Sequence, residues 1–252
     1  MIHREDHDGV AVLRLEHGKA NAIDPELFAE LDARLDEVEV SPAVRALVLT
    51  GSGGIFSAGV NLFKVRDGGA DYVATFLPRL TGSLLRLFTL PLPVVAAVNG
   101  HAIAGGLVLA LACDHRVMAE GAGKLGLTEL LVGVPFPTAA LEIVRFQAPG
   151  RTVQDLILSG RTVTGREALA MRLVDEVAPP GELLSRSLAA AAHYGRIPRP
   201  AYALSKRQLR APAVALIERY RAAHDAEVVA AWSAAEAREA IARYLEQTVG
   251  KK

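Results

Sequence analysis

Three short runs of aliphatic, often β-branched residues stand out in the first hundred positions: VAVLRL at 10–15, VRALVLT at 44–50 and PVVAAV at 93–98. The last two lack the polar alternation of a half-solvated strand, so they predict strands covered on both faces. Between the first two, DPELFAELDARLDEVEV predicts a helix. Asp24 is placed to cap it, Pro25 occupies the first helical position, and Leu27, Leu31, Leu35 and Val38 recur at helical spacing. A strand, helix, strand alternation of this kind belongs to an α/β fold. Weaker strand signals lie in HRVMA and KLGLT. From Pro135 onward the pattern is mostly helical, with breaks at Gly150, at Pro179-Pro180-Gly181 and at Pro198 to Pro200. Past Pro212, Ile217, Tyr220, His224, Val228 and Trp232 form one stripe, which needs either this chain's own core or another subunit as its partner.

Composition narrows the class without choosing a chemistry. The 252 residues are 51% hydrophobic with zero net formal charge, so the chain can bury a large core and has no electrostatic bias toward nucleic acid. A single cysteine, Cys113, excludes an intramolecular disulfide and a multi-cysteine zinc site. The polar start MIHREDHDGV and the lack of an apolar run near 18 residues argue for a cytoplasmic protein with no membrane partner.

Two glycine-rich segments carry the candidate chemistry. GSGGIFSAGVNL, residues 51–62, follows a predicted strand but is no dinucleotide turn, because Phe56 occupies the place of the third glycine. It is no serine nucleophile elbow, because Ile55 precedes where a glycine is required, and it has no Gly-Lys-Ser/Thr to hold phosphate. In VNGHAIAGGLVLALACDH, a strand and a turn place Gly105 and Gly106 at the start of an apolar helix, where backbone N–H groups lack intrahelical partners. Either close helix packing or the approach of a ligand oxygen accounts for such glycines.

Taken together, GGIFSAGVNL, AVNGHAIAGGLVLALACDHRV and LGLTELLVGVPFP resemble, in order, three blocks of the crotonase, or enoyl-CoA hydratase/isomerase, superfamily. The resemblance runs from about Val10 to the C-terminus. It implies an α/β spiral of strand-strand-helix repeats over 1–197, and a helical C-terminal region over 198–252 that builds a homotrimer or a hexamer. It also implies a coenzyme A thioester as substrate, with no permanently bound cofactor. The backbone amides of Val60 and Gly105 are expected to hold the thioester oxygen, an arrangement that stabilises charge developing there. Ser57, Ala58, Gly59 and Gly106 are expected along the substrate, Lys64 near the CoA phosphates, and Pro135 near the acyl group.

The acids decide the reaction that the resemblance implies. Family hydratases use two glutamates. Glu129 aligns with the second, whereas Val108 stands at the first and Asp114 lies about 9 Å further along that helix. A lone carboxylate suits a shift of the double bond from the 3,4 to the 2,3 position, and the blocks, with IPRPAYALSKRQLR and AREAIARYLEQ, resemble the Δ3,Δ2-enoyl-CoA isomerase branch. Two alternatives stay open: a hydration or other crotonase reaction using a loop acid such as Asp67 or Asp71, and a non-catalytic acyl-CoA-binding subunit. Asn61, where the family often has Asp, and GVPFPTAAL, in place of a glycine-rich turn, depart from the pattern. Asp114 with Arg116 reads as a structural ion pair, Cys113 as core, His224 as packed and His101 as a solvated turn residue.

Overall fold

The computed structural model describes residues 1–248. In chain order the elements are β1 (Ile2–His7), β2 (Val10–Leu15), α1 (Pro25–Val40), β3 (Ala46–Thr50), β4 (Ile55–Ser57), α2 (Leu62–Thr89), β5 (Val94–Val98), β6 (His101–Ile103), α3 (Gly105–Leu111), β7 (His115–Ala119), β8 (Lys124–Gly126), α4 (Glu129–Val132), α5 (Thr138–Gln147), α6 (Gly150–Ser159), β9 (Thr162–Thr164), α7 (Gly165–Ala170), β10 (Glu176–Ala178), α8 (Leu183–Gly195), α9 (Arg199–Ser233) and α10 (Ala235–Thr248). None of the described helices is long and apolar enough to cross a membrane.

The strands form two sheets. The larger runs β1-β2-β3-β5-β7-β10, parallel throughout except for β1, which lies antiparallel to β2. Its apolar runs are continuous because both faces are covered. Val12, Val48, Val95 and Val117 pack with α8 on one side, while Leu13, Leu47, Leu49 and Ala96 join the main core on the other. The smaller sheet runs β4-β6-β8-β9, with β4, β6 and β8 parallel and β9 antiparallel to β8. From β3 to β8 each turn of the chain thus adds one strand to each sheet, with a helix between turns, the predicted strand-strand-helix spiral.

Local chemistry accounts for several boundaries. The Asp24 carboxylate accepts the Leu27 amide at 3.0 Å and caps α1, as its position before Pro25 predicts. β1 was not foreseen: only Ile2 of its six residues is buried, so an exposed edge strand leaves no hydrophobic signature. α2 was hidden by Gly68-Gly69 and Pro78; at Gly69 the backbone takes φ 59° and ψ −149°, a kink between two helical pieces. α9 starts at Arg199, within the break expected at Pro198 to Pro200, and continues through Pro212. Of its predicted stripe, Ile217, Val228 and Trp232 enter this chain's own core, Tyr220 is half-buried, and His224 is exposed where packing was expected.

A buried charge cluster ties α9 to the spiral. Asp114 bonds Lys206 Nζ at 2.7 Å and Arg210 at 2.6 Å, and not Arg116, which pairs with Asp175 at 2.9 Å. The expected Asp114–Arg116 pair is therefore corrected: the partners of Asp114 come from a helix some ninety residues away, and no local spacing announces them. Arg210 also donates to the carbonyls of Phe88 and Ala112 and lies over the Phe88 ring, while Lys206 donates to Leu92 O. Burial lowers the proton affinity of Lys206, and Asp114 opposes that shift. Removing one partner of such a buried pair strands the other charge. Arg210→Ala is expected to lower the unfolding free energy by about 3–5 kcal/mol in chemical denaturation; a loss within ~0.5 kcal/mol, as for an exposed pair, would contradict the anchoring role.

Candidate active site

Parallel pairing of β4, β6 and β8 brings their C-terminal ends to one edge of the smaller sheet. The loops leaving that edge are Ala58-Gly59-Val60, Ala104-Gly105 and Leu127-Thr128-Glu129, one from each of the three sequence blocks. The first is sewn to the start of α1: Ile23 N donates to Gly59 O and Asn61 N to Ile23 O, both at 2.8 Å. Val60, bridged in parallel to Ile23, is left with its own amide free of this ladder. Gly105 opens α3, so its amide has no acceptor one turn back. Among the described residues no protein acceptor takes either hydrogen.

Two glycines permit this approach. Gly59 has φ +83°, and a β-carbon there would lie 2.7 Å from Ile103 O and 3.1 Å from Gly105 N. A β-carbon on Gly106 would sit 2.2 Å from Ser57 O, inside any allowed contact. Ala104 carries the cost of the turn, with φ 51° and ψ −126° in a side-chain-bearing residue, and conformations of that kind persist where surrounding structure imposes them.

The loop beneath Val60 is held by a charged knot. Asp24, 1% exposed, meets His17 Nε2 at 2.8 Å, Lys64 Nζ at 3.0 Å and Asn61 Nδ2 at 3.5 Å. Burial raises the carboxyl, but the His17 hydrogen bond, the Leu27 amide and Lys64 outweigh it and hold Asp24 below its usual range. Asn61, where the family often has Asp, also caps α2 through Lys64 N.

A cavity of about 60 Å³ opens over these loops. Ala58, Val60, Gly105, Val108 and Glu129 of the predicted residues line it together. The others do not. Ser57 is fully buried and donates to Asn21 O, while accepting from Gly59 N, so it shapes the loop from behind. Gly59 and Gly106 act by close contact. Lys64 spends its ammonium on Asp24 and Glu26, at 3.0 and 2.8 Å, away from the cavity. Pro135 accepts the Trp232 indole N–H at 2.8 Å, and it is Pro137 that reaches the cavity wall. His101 accepts from Lys124 N at the far end of β6. Sequence reasoning missed Leu80 and Leu84 from α2, Trp232 from α9 and Tyr244 from α10. Their helical spacing is visible, but spacing does not say which surface a helix covers.

Among the described residues that line the cavity, Glu129 is the one acid. It is 7% exposed, and its Oε2 has no hydrogen-bond partner. Burial pushes its carboxyl up to about 8, opposed by its own backbone amide. Val108 faces the same space with an isopropyl group.

Comparison with known proteins agrees with this architecture. The family profile described as enoyl-CoA hydratase/isomerase matches residues 5–250. A protein of Thermus thermophilus named as a putative enoyl-CoA hydratase is 40% identical over 210 residues, 81% of this chain and 82% of its own length. Mitochondrial enoyl-CoA delta isomerase 1 of mouse is 30% identical over 212 residues, 83% of this chain and 73% of its own. The crystal structure of human mitochondrial delta3-delta2-enoyl-CoA isomerase superposes with a TM-score of 0.95 at 27% identity, covering 100% of this chain and 99% of that one. The chain belongs to the enoyl-CoA hydratase/isomerase family of the crotonase superfamily.

The buried acid has a thermodynamic consequence. Unfolded, Glu129 titrates near 4.3; folded, it titrates at about 8. Between those values the native state binds more protons than the unfolded one, so this residue's contribution falls as pH rises and is lowest above 8. Glu129→Gln is expected to abolish that fall. Denaturation at pH 5 and pH 9 is expected to show the wild type losing a few kcal/mol relative to the variant; parallel losses would show that the carboxyl is solvated.

Proposed function

We propose that this protein isomerises 3-enoyl-CoA to 2-enoyl-CoA, with Glu129 as the single proton carrier. The observation supporting this is Glu129 standing as the only acid among the described residues of a cavity that also holds the Val60 and Gly105 amides and the apolar Val108. The Glu129 carboxylate removes a proton from C2, and the electron pair moves into the thioester, placing negative charge on its oxygen. The amides of Val60 and Gly105 donate to that oxygen. Each such donor contributes about 3 kcal/mol to the transition state, because it is fixed before the charge appears. Protonated Glu129 then returns the proton to C4 as the double bond forms between C2 and C3. No atom is gained or lost, and one carboxyl serves both carbons on the same face.

The proton affinity of Glu129 suits both halves of this cycle. A carboxylate near 4 would be a weak base toward C2, whereas one raised by burial toward the working pH accepts and releases a proton readily. Hydration would need a second group to activate water. Val108 offers none, Asp114 is engaged with Lys206 and Arg210, and Asp67 and Asp71 are exposed outside the cavity. The reading includes assembly as a homotrimer or hexamer. Exposed Leu130, Leu131 and Leu158 near an apolar groove with Phe136 and Val153 support burial of that face by other copies.

Conversion of a 3-enoyl-CoA is followed by the absorbance of the conjugated product and by deuterium entering C2 and C4 from solvent. Glu129→Gln is expected to lose on the order of 10²–10⁴ in kcat/KM, and the wild-type profile is expected to lose activity as pH falls below about 8. Unchanged turnover in the variant would refute the assignment. Net formation of 3-hydroxyacyl-CoA from 2-enoyl-CoA would favour hydration, and the absence of both 3-enoyl-CoA conversion and exchange at either carbon would favour a binding role.

A further inference from the structure

We infer that Trp232 terminates the acyl cavity and restricts this protein to short acyl groups. The inference rests on the reading that the acyl part of a CoA thioester enters this cavity, and not on which reaction follows. At about 60 Å³ the cavity is several-fold smaller than the neighbouring cleft of about 440 Å³. A thioester carbonyl seated at Val60 and Gly105 would fill that space with its first few carbons.

A longer tail would need more room, and a second hollow shares Pro137 with the cavity. This cleft, of about 440 Å³, is lined by Leu77 and Thr81 of α2, Val228 of α9, and Pro137. The cavity is lined by Leu80 and Leu84 of α2, Trp232 of α9, and the same Pro137. Leu77 to Leu80 or Leu84, and Val228 to Trp232, are steps of about one or two helical turns along common faces. Cavity and cleft are therefore neighbours along two helices, about 5 Å per turn apart.

Trp232 is the largest side chain in the wall and is 4% exposed. Its indole N–H on Pro135 O, at 2.8 Å, pins it to the segment that carries Pro137. That bond holds the helix and the segment together across the opening. A smaller side chain at 232 removes both the bulk and the tie, joining cavity to cleft.

Calorimetric titration with saturated butanoyl-, hexanoyl-, octanoyl- and decanoyl-CoA tests this without requiring turnover, with CoA itself as reference. The wild type is expected to bind butanoyl-CoA at least tenfold more tightly than decanoyl-CoA, and Trp232→Leu is expected to reduce that ratio at least tenfold. Ala140→Leu, which adds bulk inside the cavity from α5, is expected to bring butanoyl-CoA affinity down to that of CoA. Equal wild-type affinity for the four thioesters would overturn the inference, as would an unchanged ratio in folded Trp232→Leu. Should that variant fail to fold by circular dichroism, butanoyl-CoA binding unaffected by Ala140→Leu would overturn it instead. The expected length profile without isomerisation would leave the gate standing and refute only the reaction.

Discussion

The site depends on three short strands lying parallel and in contact. β4, β6 and β8 contribute three residues each, yet their pairing decides which loops meet. Because they run the same way, every loop leaving a C-terminal end emerges on one edge, and residues more than sixty positions apart become neighbours. The approach is tight enough that a single added carbon at Gly106 would collide with Ser57 O. Two backbone amides are thereby oriented by main-chain geometry, which no side-chain rotamer can relax, and electrostatic stabilisation works best when its dipoles are fixed in advance.

Around those amides the protein arranges opposite environments. Below the first loop, Asp24 is surrounded by cations and donors and is held ionised. Above it, Glu129 faces aliphatic side chains, and one of its oxygens has no partner. The two carboxyl groups are thus driven in opposite directions, the first toward its charged form and the second toward its neutral one. An unpartnered buried oxygen is a defect by the standards of a stable core, and such defects concentrate where chemistry is done.

How much of this the sequence reveals depends on whether the relevant interaction is local. The α1 cap is legible because Asp24, Pro25 and the leucine periodicity lie within one helix. The central strands are legible because burial on both faces makes them wholly apolar. β1, β9 and β10 escape notice because they are short or exposed at an edge. Val60, Gly105, Val108 and Glu129 are found through block resemblance, and the structure gathers them. Lys64 shows the opposite case: its partners Asp24 and Glu26 are about forty residues away, so a cation that looks free in the sequence is engaged in the fold. Trp232 and Tyr244 are missed for the same reason, since an amphipathic stripe announces burial without naming its partner.

The anchoring of α9 extends further than its own contacts. Arg210 is clamped at the far side of the core, and Trp232 lies 22 residues on, about 33 Å along one continuous helix. The helix is held at both places, by Asp114 at its footing and by the Trp232 indole on Pro135 O near its other end. The position of Trp232 on the cavity wall is thus linked, through one helix, to an aspartate that lies outside that cavity.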